Sequence, residues 1–265
     1  MPLLLKKRIS RLPMARESIL WLLRSTSRDV LMTNPWSGQK MRVNTYQHKN
    51  YWFYGKDRER STMNLFSEYI RPGDIVIEMG AHIGFMSQLF SELVGDEGRV
   101  VVFEPGSNNL PYLRPNVANL HNVTIEELAV SDFDGEATFF EDDITGQNNS
   151  LLADYEGLNG VAGTHGTEAR RTERLVPVVT LDSYTREHDL KVDFIKIDIE
   201  GNELAALRGA TQTLRSVRIA MVEVTENFDE VAEILVDAGF ILRSSAGEPV
   251  LRLATKGNYF AIRDD

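Results

Sequence analysis

Residues 74–84 read DIVIEMGAHIG, and residues 99–104 read RVVVFE. Each contains a short apolar run without regular polar alternation. That is the pattern of a strand covered on both faces, the usual state of strands in a parallel sheet. Between them, Phe85, Leu89, Phe90 and Leu93 recur at helical spacing, and Gly95 ends the segment. The unit is therefore strand, glycine turn, helix, strand.

The alternation extends in both directions. Upstream, Thr62–Ile70 has helical spacing and stops at Arg71-Pro72-Gly73. Downstream, Ser107–Leu120 is partly helical, Val123–Val130 reads as a third strand, and Glu136–Phe140 and Arg174–Thr180 are strand-like. Asp193–Asp198 (DFIKID) is another buried strand, followed by a helix over Glu203–Leu214 and a strand over Ile219–Val224. A helix over Asp229–Ala238 ends at Gly239, and Phe240–Ser244 can pair with Asn258–Arg263 as a closing hairpin. Strands alternating with helices predict an α/β fold with a parallel, doubly wound sheet. The stretch Asp142–Arg171, rich in Gly, Asn and Thr, has little periodicity and reads as a lid-like insertion.

Composition narrows the function. With 265 residues and no cysteine, the chain has no disulfides, no thiolate metal site and no cysteine nucleophile. No apolar run reaches the ~20 residues of a membrane-spanning helix. The charge is uneven: residues 1–60 hold 13 Lys+Arg and 4 Asp+Glu, a net of +9, against 16 and 35, a net of −19, in the remainder. An acidic body repels phosphate, so nucleic acid is not an expected partner. Residues 1–57 read as a basic helical arm, and residues 58–265 as the main domain. Leu3–Leu5 is too short for a secretory signal core and Pro13 interrupts it, so a cytoplasmic location is expected. From Ala15 to Arg24 a basic helix carrying Trp21 can rest on an anionic membrane surface, pack on its own domain or build a homodimer.

Doubly wound sheets bind ligands outside the carboxyl ends of their strands. At the first such end stand Glu78, Gly80, Ala81, His82 and Gly84. Gly80 permits a tight turn, and Gly84 opens a helix whose free N–H groups favour an anion. The spacing is G-x-x-x-G, lacking the third glycine of the dinucleotide motif. Glu104 ends the second strand, where a carboxylate can accept both hydroxyls of a ribose and would repel a 2′-phosphate. Asp198 ends the strand FIKID over the same crevice.

Taken together, VIEMGAHIG, VVFEP, LAVSD with Gly135, VTLDSY and FIKIDIEGNE resemble the FkbM family of S-adenosylmethionine-dependent methyltransferases, over roughly residues 54–263. The resemblance implies a Rossmann-like, class I methyltransferase sheet of seven strands, mostly parallel, with the last antiparallel. It also implies methyl transfer, usually to a hydroxyl of a glycan or secondary metabolite, leaving S-adenosylhomocysteine. Carried onto this chain, Glu78 and Gly80–His82 would line the methionine part, Glu104 would hold the ribose, Ala129 and Val130 would bound the adenine, and Asp198 would face the sulfonium and the acceptor. Here Glu78 and His82 stand where the family more often has Asp and Asn.

Methyl transfer is an in-line displacement and gains from a base near the acceptor. Asp198 is the first candidate, and His165 in the insertion is the second. Asn148, Asn149 and Ser150 offer the neutral hydrogen bonds that sugar hydroxyls need. No metal is assigned. A competing NAD-dependent oxidoreductase lacks its third glycine. A non-catalytic nucleoside-binding scaffold would call for a damaged crevice, yet Gly80, Glu104 and Asp198 are all present.

Overall fold

A computed structural model of the chain describes residues 13–155 and 171–263. A helix, α1 (Pro13–Ser25), leads into a hairpin of β1 (Asp29–Thr33) and β2 (Lys40–Asn44). Two helices follow, α2 (Lys49–Tyr54) and α3 (Arg60–Tyr69). The main alternation is β3 (Ile75–Met79), α4 (Phe85–Val94), β4 (Arg99–Phe103), α5 (Leu110–Val117) and β5 (Val123–Glu126). Short β6 (Ala129–Val130), β7 (Gly135–Asp142) and β8 (Arg171–Val179) come next. The second half contains α6 (Leu181–Glu187), β9 (Phe194–Ile197), α7 (Glu203–Arg208), α8 (Thr211–Leu214), β10 (Ile219–Val224), α9 (Phe228–Asp237), β11 (Ile241–Ser244) and β12 (Gly257–Ile262).

Seven of these strands form one sheet in the order β11-β12-β10-β9-β3-β4-β5. The five strands from β10 to β5 run parallel, and β12 is antiparallel to both β10 and β11. This is the expected arrangement, closing hairpin included. Adjacent residues of a strand point to opposite faces. Ile77, Val101 and Ile195 therefore pack on one side with Leu207 and Leu235, whereas Val76, Val100 and Phe194 pack on the other with Phe66, Phe90 and Leu113.

Two elements differ from the sequence expectation. The strand expected over Val123–Val130 is interrupted at Glu127-Leu128. Its second part pairs instead with Val178 and Val179 in a separate three-stranded sheet, β6-β8-β7. At the break, Glu126 accepts the Tyr184 hydroxyl and Glu127 pairs with Arg114. The helix expected over Glu203–Leu214 is also split. A Cβ on Gly209 would lie 2.1 Å from the Ser131 carbonyl oxygen, so the chain is pressed against its neighbour there. Asp182 then accepts from the N–H groups of Gln212 and Thr213 to start α8.

Residues 29–57 share the main core. Met41, Val43 and Tyr51 are buried beside Phe85 and Leu110. Asn116 of α5 donates to the carbonyls of Arg42 and Ile83 and accepts from the Arg42 N–H. On α1, by contrast, Ile19, Trp21 and Leu22 are exposed, so these side chains do not pack on the body. No helix among the described residues is long and apolar enough to cross a membrane.

Candidate active site

The carboxyl ends of β3, β4, β9 and β10 open into a cleft of about 290 Å³. Its floor is the turn after β3. Gly80 has φ +80°, and a Cβ there would lie 1.9 Å from the Asp198 carbonyl oxygen. Only glycine lets the β3 and β9 ends approach this closely. Gly84, with φ +83°, packs against Leu113 and Val117 of α5 and not on the cleft. Ala81 is buried beneath the turn.

His82 (φ +51°) fixes the turn to two distant segments. Its Nε2 lies 3.0 Å from the Thr145 carbonyl oxygen, which can only accept, so Nε2 carries the proton. Its Nδ1 then accepts from the Tyr51 hydroxyl at 2.9 Å. Burial holds its pKa down to about 4, so this imidazole is a neutral connector across the physiological range.

Glu104 lies at the end of β4, on the cleft wall. Its Oε2 accepts the His82 N–H at 2.7 Å, and its Oε1 accepts Gly106 N–H at 2.9 Å and Asn109 Nδ2 at 3.2 Å. Burial pushes its pKa up to about 7. The three bonds leave limited accepting capacity for a ligand and make this carboxylate a brace of the turn as well.

Asp198 sits above the end of β9. Lys196 Nζ is 3.2 Å from its Oδ2 and donates to the Gly80 carbonyl at 2.9 Å. Although burial opposes ionisation, Lys196 and a hydrogen bond from Glu223 hold the Asp198 pKa below the usual carboxylate value. The Asp198 charge, with burial second, pushes Glu223 up to about 10. The pair thus holds one proton, residing on Glu223. Glu200 accepts from the Tyr155 hydroxyl and is pushed up to about 8, chiefly by burial. Asp198, Glu200 and Glu223 bring carboxylate oxygens within 4.8 Å of one another. Lys196 and the Tyr155 hydroxyl already supply positive charge and a donor to this trio.

The sequence-derived residues therefore divide. Gly80, His82, Glu104, Ala129, Val130, Asn148, Asn149 and Asp198 line the cleft. Glu78 does not: it is buried, accepts from Ser87 Oγ at 2.5 Å and lies 3.9 Å from Lys196 Nζ. Ser150 is buried, donating to the Glu200 carbonyl, and Asn149 is bonded to Asn108 and the Asp142 N–H. His165 lies outside the described residues. Tyr51, Arg58, Glu59 and Asn258 also reach the wall. None stands at a parallel-strand end, so the strand-end rule gave no signal for them.

S-adenosylmethionine, the donor implied by the resemblance, combines an adenosine, a sulfonium and a methionine zwitterion. The residues present fit it. Gly80 keeps the floor free of a side chain, apolar Ala129 and Val130 line the same cleft as Glu104, and the carboxylates near Asp198 suit cationic groups. The strand order and the cleft over β3, β4 and β9 are the build of a Rossmann-like methyltransferase. The sequence model for the Methyltransferase FkbM domain matches residues 78–242, more than half of the chain. The chain belongs to the FkbM methyltransferase family. It is 24% identical over 186 residues to the hexuronic acid methyltransferase AglP of Haloferax volcanii, covering 68% of this chain and 69% of that protein. It is 28% identical over 194 residues to the 31-O-demethyl-FK506 methyltransferase FkbM of Streptomyces tacrolimicus, covering 64% and 74%. It is 24% identical over 169 residues to the 2-O-methyltransferase NoeI of Sinorhizobium fredii, covering 59% and 65%.

Proposed function

We propose that this protein is an S-adenosylmethionine-dependent O-methyltransferase acting on a hydroxyl of a sugar or other polyhydroxylated small molecule. The observation that carries the reading is the ionised Asp198 over the end of β9, beside a wall of neutral hydrogen-bonding side chains that includes Gln147, Asn148 and Asn258. Names of relatives that act on a hexuronic acid, or at 31-O and 2-O positions, support the acceptor class. The bound donor would supply an activated methyl group on a sulfonium. Asp198 orients the acceptor hydroxyl by accepting its hydrogen bond. Its low pKa is no obstacle to taking the proton, because an oxygen that has gained the methyl while keeping its proton is far more acidic than a carboxylic acid. Lys196 keeps Asp198 ionised, and the pair's proton resides on Glu223.

The test is incubation with methyl-labelled donor and a panel of sugars, uronic acids and polyols, with mass spectrometry locating the label. Label on an ether oxygen is the expected result. Label confined to amines or carboxylates would replace the O-methyl reading.

The arm has a separate role in this reading. Ile19, Trp21 and Leu22 are exposed on α1, and residues 1–28 hold 7 Lys+Arg against 1 Asp+Glu, a net of +6, so α1 docks on an anionic membrane surface. The full chain should pellet with anionic vesicles, and a chain lacking residues 1–28 should not. Equal pelleting of the two discards the idea, as does a dimer that the truncation abolishes without any vesicle binding.

A further inference from the structure

The cleft wall is mostly acidic or neutral. Glu59, Glu104, Asp198, Glu200 and Glu223 all contribute to it, and among the described residues Arg58 is its cationic side chain. Lys196 lies beneath the wall and is 2% exposed, its ammonium turned to the Gly80 carbonyl and Asp198. Among the described residues, a negatively charged group entering this cleft therefore meets one positive side chain, Arg58.

The guanidinium of Arg58 is held in place from two sides. It lies over the Tyr51 ring, 4.7 Å from its centroid, and its Nη2 is 3.0 Å from Glu59 Oε1. Its side chain is still 23% exposed, so part of the guanidinium reaches the cleft. Arginine suits a carboxylate in particular, because its planar guanidinium carries several N–H donors that can meet both oxygens.

The position identifies which carboxylate. Tyr51 carries Arg58 on its ring and donates its hydroxyl to His82 Nδ1. Arg58 is thereby tied to the turn after β3. The acidic trio around Asp198 lies near Arg58, which also senses the charges of Asp198 and Glu223. One guanidinium beside several carboxylates complements a zwitterion, with its carboxylate on the former and its ammonium towards the latter. Resting on the methyl-donor reading, we propose that Arg58 binds the α-carboxylate of the donor's methionine part through the part of its guanidinium that reaches the cleft.

Two nucleosides test this without turnover. S-adenosylhomocysteine has the amino-acid end, whereas 5′-methylthioadenosine keeps the adenosine and sulfur and lacks that end. Isothermal titration of both ligands is run on the full chain and on Arg58→Gln and Arg58→Lys. Arg58→Gln is expected to weaken S-adenosylhomocysteine by roughly 10–100-fold, the size of a lost charge-assisted bond, and to leave methylthioadenosine within about twofold. Arg58→Lys should recover part of the loss. The unchanged methylthioadenosine affinity also reports that the variant is folded. An equal loss for both ligands would reduce Arg58 to a structural brace and overturn the proposal. Unchanged S-adenosylhomocysteine affinity with a raised KM for an acidic acceptor would move the carboxylate to the acceptor and overturn it too, leaving the methyltransferase reading intact. Failure of the wild-type chain to bind either nucleoside would overturn both.

Discussion

Asp198→Ala is expected to lower kcat by ~10²–10⁴-fold while S-adenosylhomocysteine still binds, and Glu104→Ala to do the reverse. The contrast reflects where the two carboxylates stand. Asp198 is ionised, partly exposed and grouped with Glu200 and Glu223, whereas Glu104 is buried and turned into the β3–β4 end. Removing Asp198 leaves Lys196 without its nearest counter-charge. Asp198→Asn, which keeps the shape, is therefore the companion variant, and the same loss of kcat is expected from it. Loss of the Asp198 charge also removes the first cause of the raised Glu223 pKa, which should fall back towards the ordinary carboxylate value. Glu104→Ala strips acceptors from the N–H groups of His82 and Gly106 and from Asn109. Because that weakens the turn itself, Glu104→Gln should be measured beside it, with roughly 10-fold weaker S-adenosylhomocysteine binding expected. Titration calorimetry beside a turnover assay separates the roles. Full turnover in Asp198→Asn would remove it from the mechanism, and unchanged affinity in both Glu104 variants would refute the ribose assignment.

Gly80→Ala should cost roughly 2–6 kcal/mol of stability, combining left-handed strain with a backbone collision. The methyl would sit 1.9 Å from the Asp198 carbonyl oxygen, and an oxygen fixed in the β9 main chain cannot rotate away. Either β3 or β9 must move. Such a shift disturbs both the Gly80 N–H bond to the Phe103 carbonyl and the Lys196 bond to the Gly80 carbonyl. Nucleoside binding should be lost with it. Gly73→Ala is the control: its φ is +87°, but nothing lies within 4 Å of the added methyl, so only the strain remains. Thermal unfolding of the two variants gives the comparison. Equal melting temperatures would mean that the close approach of the strand ends is not what Gly80 provides.

The sequence by itself determined the layered α/β architecture and the positions of Gly80, Glu104 and Asp198 at strand ends. Strand patterning is local. Runs such as IVIEM and RVVVF announce burial on both faces within a few residues, and the next residues of the chain necessarily stand at the carboxyl end of each strand. Tertiary structure alone decided how the cleft is walled and wired. Glu78 looked like a strand-end ligand but faces Ser87 and Lys196 under the turn. Ala129 and Val130 looked like the end of a third strand but belong to another sheet, paired with residues almost fifty positions later. Tyr51 meets His82 across 31 residues, and Gln147 reaches the Tyr51 hydroxyl across 96. Hydrogen bonds of that span depend on the direction in which each side chain leaves a finished core. Neither spacing nor composition encodes such a direction, which is why Arg58 was silent in the sequence and stands on the cleft wall in the fold.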